Sequence, residues 1–387
     1  MCIQKLSDFT KIIMGQSPKG SSYNENRQGY PLLNGAADYK GQIFKPKKYT
    51  NQPTRLVEEG DILLGIRATI GNFAFADRKY CIGRGVAGIR VNDELADKNY
   101  IKRIVENELN KILHTASGST IKGIKKEDLT DMLIKLPPLD TQKKIATILD
   151  EADKLRQLDK KLIEKYDALT QSLFLDMFGD TWTNPKNWEI KLIEELASTE
   201  KHSIKAGPFG SSLKKEYYVE SGYKIYGQEQ VIKDDLSFGN YYIDQNKFQS
   251  LKNCRIKAGD ILISLVGTYG KISVVPEIFE EGIINPRLMK ISPNQEIIRP
   301  DFLKMLLRSS GVLLQMENKS RGGTMDIVNV GIMRKIKVPL PPIKLQNQFA
   351  ERVQSIESQK AQAQQSLQKS EELFNSLLQK AFKGELA

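Results

Sequence analysis

The segment YGQEQ at residues 226–230 sets two carboxamides, Gln228 and Gln230, two positions apart beside Tyr226. A carboxamide presents a donor and an acceptor side by side, the pattern that pairs bidentately with an adenine edge. In the first half of the chain the matching positions are Leu33, Asn34 and Gly35, so Asn34 falls beside the comparable role. Two short loops add groups of the same kind: RATIG offers Arg67 and Thr69, and GTYG offers Thr268 and Tyr269. Such side chains suit contact with base edges, although for Arg67 and Tyr269 scaffold hydrogen bonding is the stronger reading. The loop glycines Gly65, Gly71, Gly267 and Gly270 read as turn formers before phosphate cradles.

A second set lies in two polar loops. SPKGSSYNENRQ at 17–28 contributes Lys19, Ser21, Ser22, Asn26 and Arg27, and GPFGSSLKKEYY at 207–218 contributes Ser211, Ser212, Lys214 and Lys215. The cations favour contact with a polyanion, whereas Glu25 and Glu216 fit an ordinary solvated loop. Lys45, Lys47, Lys48 and Arg55 form a basic run near a turn, suited to phosphates, where contacts are independent of sequence and sensitive to salt. SGST at 117–120 and Ser320 to Thr324, with Arg321 among them, offer backbone N–H groups to phosphate or form turns before a strand. Trp182 and Trp188 are expected to pack in the core.

Residues that break bonds are scarce by comparison. There are two histidines, His114 and His202, and three widely spaced cysteines, Cys2, Cys81 and Cys254, so no metal knuckle, disulfide framework or Ser-His-Asp triad is indicated. No GxxxxGK[ST] phosphate loop occurs. LPPL at 136–139 and LPPI at 340–343 have Leu where an adenine methyltransferase needs Asp or Asn before Pro-Pro. Apolar runs such as FLKMLL and DILLGI fall short of the ~18 residues of a membrane span, and MCIQKLSDFT lacks the pattern of a secretion signal, so a cytoplasmic location is expected.

The net charge of +11 is unevenly placed. Residues 1–139 carry 22 Lys and Arg against 15 Asp and Glu, and residues 180–342 carry 23 against 19. Residues 140–179 and 343–387 are balanced to within one charge. The excess sits in two blocks, as expected if these face a polyanion.

Those blocks repeat one another. GDILLGIRATIG at 60–71 matches GDILISLVGTYG at 259–270, and SPKGSS, GYPLLNG, SGSTI and LPPLDTQ have counterparts in the same order in GPFGSS, GYKIYGQ, GGTM and LPPIKLQ. Constant order with drifting offset marks a duplicated domain with loops of different length. DILLGI and NFAFA, like DILISLV and KISVV, predict two strands joined by a tight loop, with helical segments near 97–114 and 300–317.

After Pro137-Pro138 and Pro341-Pro342 the texture changes to long apolar seams. The first reads Ile145, Ile148, Ala152, Leu155, Asp159, Leu162, Tyr166, Leu169, Leu173; the second reads Phe349, Val353, Ile356, Lys360, Ala363, Leu367, Ser370, Phe374, Leu377, Ala381. Asp140 or Thr141 is expected to cap the first helix and Gly179 to end it, and Asp159 and Lys360 are expected to pair. The fold class is therefore α+β: two similar mixed α/β domains at 1–139 and 180–342, separated by long antiparallel coiled-coil helices at 140–179 and 343–387, with approximate twofold symmetry. Two unlike readers on one strut suit an asymmetric, bipartite target on a duplex.

In the doubled order of GDIL, SGST/GGTM and LPPL/LPPI followed by Gln142 and Gln346, the chain resembles the specificity subunits of type I restriction-modification systems over essentially its whole length. The resemblance implies a non-catalytic subunit that reads double-stranded DNA. It implies partners: two methyltransferase subunits around the paired helices and two ATP-driven restriction/translocase subunits. S-adenosylmethionine, ATP and magnesium would be held by those partners and no cofactor by this chain. A modification-only system, or a type II system cutting on both sides of its site, would use much the same subunit. An adaptor binding proteins through its coiled coil explains the duplication but not the localised charge.

Overall fold

The computed structural model describes residues 2–67, 70–115, 123–265, 271–320 and 329–386. They fold as two compact units, residues 1–160 with 365–387, and residues 161–364.

In the first unit, Gly60 turns the chain with φ +86° and Ile62–Gly65 enters a sheet with every residue buried. The neighbouring Asp61 accepts from the backbone N–H of Glu58 at 2.8 Å and from Arg90 Nε and Nη2 at 2.9 and 2.7 Å, which fixes the turn to the sheet. The sheet is antiparallel, in the order Phe73–Phe75, Ile62–Gly65, Val86–Val91, Thr10–Met14. A second sheet contains Tyr30–Leu33 and Tyr80–Ile82 side by side in parallel, Leu32 opposite Cys81. Leu33, Val57, Leu63, Tyr80 and Val86 fill one core cluster. The helix Lys98–Thr115 and the first turns of a long helix close another, with Tyr100, Ile101, Ile145 and Leu149 buried. Cys2–Lys5 pairs with Leu133–Leu136, the strand that leads into Pro137-Pro138.

The second unit repeats this plan. Ala206, Met289, Ile263 and Ile272 mark the four strands of its antiparallel sheet, and Tyr223–Tyr226 runs parallel to Gly282–Ile284. Asp260 accepts from the Lys257 N–H at 3.0 Å and lies 3.3 Å from Lys290 Nζ, so the GDIL aspartate again fixes its turn and meets a cation, here a lysine from a different position on the neighbouring strand. The helical segment expected at 300–317 is two helices, Pro300–Arg308 and Ser310–Ser320, divided at Ser309, whose ψ is 150°. Gly311 lies so close to Thr181 that a Cβ there would be 2.7 Å from its hydroxyl. Trp182 is 56% exposed, contrary to the expectation of packing, whereas Trp188 is half-buried and donates from its indole to Phe178 O at 2.9 Å.

The long helices run Leu139–Phe178 and Ile343–Lys383. Neither Asp140 nor Thr141 fastens the first; Gln142 does. Its Oε1 accepts from the Asp97 N–H at 2.8 Å and its Nε2 donates to Pro137 O at 2.8 Å and Leu95 O at 3.3 Å. Gln346 repeats the arrangement with Arg299 N, Pro341 O and Ile297 O, and both side chains are fully buried. Gly179, with φ +82°, ends the first helix as expected.

Within each unit a stretch of one long helix lies antiparallel to a stretch of the other. In the first unit Arg156 stacks 3.8 Å from the Phe374 ring centroid and Asp159 accepts from Ser370 Oγ at 2.9 Å. In the second Lys360 pairs with Asp167 at 2.6 Å, and Phe174, Phe178, Phe302 and Phe349 form an aromatic cluster. Asp159 and Lys360 thus take separate partners rather than each other. The second seam is as read from sequence, but Ile148, Leu155, Leu162 and Leu169 of the first are 39%, 44%, 40% and 49% exposed.

Candidate nucleic-acid interface

In the first unit four segments meet where the parallel strands end. Gly83 N donates to Leu33 O at 2.8 Å, Gly85 N to Asn34 O at 3.0 Å, Ile66 N to Gly85 O at 3.0 Å, and Gln16 N to Ile82 O at 3.0 Å. This backbone lattice brings Ser17, Asn34, Arg67 and Arg84 to one rim, with Asn34, Arg67 and Arg84 exposed. The Arg84 N–H donates to Ser17 Oγ at 3.4 Å.

The second unit builds the same rim with different side chains. Asn285 N donates to Tyr226 O at 2.8 Å, Leu265 N to Arg287 O at 2.9 Å, and Gly207 N to Leu288 O at 2.9 Å. Half-buried Gln228 donates to Ser264 Oγ at 2.8 Å and its Oε1 accepts from Arg287 Nη1 at 3.4 Å. Asn285 Oδ1 holds the Arg287 N–H at 2.9 Å. The two rims exchange one amide: a Cβ on Gly83 would sit 2.4 Å from Asn34 Oδ1, and one on Gly227 would sit 2.7 Å from Asn285 Nδ2. The amide comes from the first loop in one unit and from the second loop in the other, each time over a glycine.

Asn34, Arg67 and Gln228 therefore stand on the rims. Lys48 lies across from Leu32, two residues before Asn34, and its ammonium sits 5.5 Å from the Tyr23 ring centroid. Lys19, Ser21, Lys45, Lys47, Ser211, Lys214 and Lys215 are exposed, Lys214 with Glu216 at 3.5 Å. Asn26 and Arg27 are exposed in the turn that precedes Tyr30, at the far end of that strand from Asn34. Ser22 spends its hydroxyl on Lys19 O at 2.8 Å and Thr50 Oγ1 at 2.9 Å, and Ser212 is half-buried with its N–H on Phe209 O.

Two expected contacts lie inside the fold. Tyr226 is fully buried, its hydroxyl donating to Glu280 O at 2.6 Å, and burial pushes its pKa up. Gln230, 4% exposed, accepts from the Gly227 N–H at 3.0 Å and donates to Ile225 O at 3.4 Å, so it closes the first turn of Gln228–Lys233 and offers nothing to a base. Thr69, Thr268, Tyr269 and Arg321, with Ser117 to Thr120 and Gly322 to Thr324, lie outside the described residues. Sequence reasoning missed Arg84, Ser264, Asn285 and Arg287; the available signal was an arginine set among Gly or Pro just beyond a buried strand, in IGRG and INPR.

Comparison with known proteins identifies the family. The family described as Type I restriction modification DNA specificity domain matches residues 3–166 and 185–372, one match for each half. The chain is 25% identical to the EcoBI type I restriction enzyme specificity subunit of Escherichia coli, over 98% of this chain and 85% of that protein. It is 39% identical to a Methanocaldococcus jannaschii protein assigned as the specificity subunit of the MjaX type I restriction enzyme, over 43% of this chain and only 40% of that protein. Its fold is similar to the S subunit of a type I restriction-modification system from M. genitalium, with a TM-score of 0.59 and 16% identity over 98% of this chain and 96% of that one. A solved type I restriction-modification chain gives a TM-score of 0.60 at 18% identity, covering 99% and 98%. With both halves matched and the duplicated α+β fold shared, the chain belongs to the type I restriction modification DNA specificity family.

Proposed function

We propose that this chain is the sequence-specific DNA-binding subunit of a type I restriction-modification complex, reading an asymmetric, bipartite site and performing no chemistry itself. The observation that carries this is the pair of rims: one repeated backbone lattice presents Ser17, Asn34, Arg67 and Arg84 in the first unit and Gln228, Asn285 and Arg287, over the buried Ser264, in the second. A shared scaffold with unlike polar tips is what two half-sites of different sequence require. The exposed Lys19, Lys45, Lys47, Lys48, Lys214 and Lys215 offer cations for phosphates.

The catalytic partners are adenine methyltransferase subunits, two per specificity chain, and ATP-dependent restriction/translocase subunits, also two. S-adenosylmethionine, ATP and magnesium belong to them. The complex acts in the cytoplasm; among the described residues no helix is long and apolar enough to cross a membrane. Methylation mapping tests the reading. DNA exposed to this chain with its methyltransferase subunits is expected to carry N6-methyladenine in one motif made of two unlike halves around a gap of arbitrary sequence. Methylation at a single continuous motif, or none that depends on this chain, contradicts it.

A further inference from the structure

In the second unit, the geometry assigns base reading to Arg287 and a positioning role to Gln228. This rests on the functional reading above and names the base that one half-site must contain. A glutamine that reads adenine has to show its carboxamide oxygen and nitrogen together. Gln228 has both engaged within the protein: its nitrogen donates to Ser264 Oγ at 2.8 Å, and its oxygen accepts from Arg287 Nη1 at 3.4 Å. Ser264 is the last residue of the buried strand Ile261–Ser264 and is 1% exposed, so the anchor of this chain of bonds belongs to the core.

The far end of that chain is an exposed guanidinium. The backbone of Arg287 is held by Asn285 Oδ1 at 2.9 Å through its N–H, and its carbonyl accepts from the Leu265 N–H at 2.9 Å. With one Nη engaged by Gln228, the remaining N–H groups of the planar fork stay available, and two parallel donors match O6 and N7 of guanine in the major groove. Ser264 sets Gln228, Gln228 sets Arg287, and Arg287 meets a guanine. The first unit has glycine, Gly85, at the position equivalent to Arg287 and carries its own arginine one residue earlier at Arg84, so the two half-sites are read from different points of the same rim.

The test is selection from a random-duplex library by the full chain in complex with its methyltransferase subunits, comparing wild type, Arg287→Ala, Arg287→Lys, Gln228→Ala and Gln228→Glu. Arg287→Ala is expected to lose the preference for one G·C pair in one half-site, with about tenfold or greater loss of discrimination there and no change elsewhere. Arg287→Lys, which lacks the fork, follows it. Gln228→Ala weakens discrimination at that same pair, and Gln228→Glu, which keeps an acceptor for Arg287, restores it. A purely structural Gln228 would lower stability without altering a single base position. An unchanged motif with Arg287→Ala overturns the assignment while leaving the functional reading intact, as does loss of an A·T preference with Gln228→Ala alone. A wild-type complex that selects no motif overturns the functional reading itself.

Discussion

At the two rims, stability depends on fitting an amide over a glycine. Asn34 fills the space above Gly83, and Asn285 fills the space above Gly227. A side chain added on the glycine side overfills a closed contact, at a cost of about 1–3 kcal/mol. Gly83→Asn is therefore expected to lower stability to denaturant, and combining it with Asn34→Gly, which copies the second unit's arrangement, is expected to recover part of the loss. Strictly additive effects in that double-mutant cycle would contradict the pairing. Sequence located this region but misjudged individual residues. Tyr226 lies on the buried strand Tyr223–Tyr226 and Gln230 is the third residue of the next helix, folded back on its first turn, so both point into the fold although they flank Gln228. Side-chain direction depends on where a strand ends, and the sequence alone does not mark that residue.

The long helices show the same limit at the scale of elements. The first seam was read in steps of three then four, choosing Ile148, Leu155, Leu162 and Leu169; the buried line instead runs Ile145, Leu149, Ala152, Arg156, Asp159, Ile163, Tyr166, Thr170, in steps of four then three. Arg156 and Thr170 hid it, because polar residues occupy seam positions beside exposed leucines. Arg156 pays its way by stacking on Phe374. The second helix was legible although Lys360 and Ser370 hold seam positions and Leu373 is exposed, because Phe349, Phe374 and Ala381 mark the buried line. The joints were half legible: the Pro-Pro pairs mark where the helices start, but the fastening is made by Gln142 and Gln346. Gln346→Leu strands the Arg299 N–H and the Ile297 and Pro341 carbonyls in a buried site, and leaving such groups without partners costs about 2–4 kcal/mol in all. A fall of that size in urea or guanidinium unfolding is expected, with Gln142→Leu giving a similar one. Losses under about 0.5 kcal/mol would contradict the fastening role.

For the molecule as a whole, the duplication was the most legible feature, because order survives insertions even when spacing drifts. Doubled GDIL turns, doubled parallel strand pairs and doubled buried glutamines all fell where the repeat put them. What each half reads was not legible, since the tips that differ are the ones the repeat does not constrain. Function at this scale requires that both halves engage one duplex at once, at a set spacing. One base pair inserted between half-sites shifts one of them by about 3.4 Å and rotates it by about 35° on a helix of ~10.5 base pairs per turn. The most direct measurement is the affinity of the full chain, with its methyltransferase subunits, for duplexes that differ only in the number of base pairs between the half-sites. A single sharp optimum, with affinity falling at least about tenfold when one or two base pairs are added or removed, is the expected result. Equal affinity across gap lengths would contradict the account.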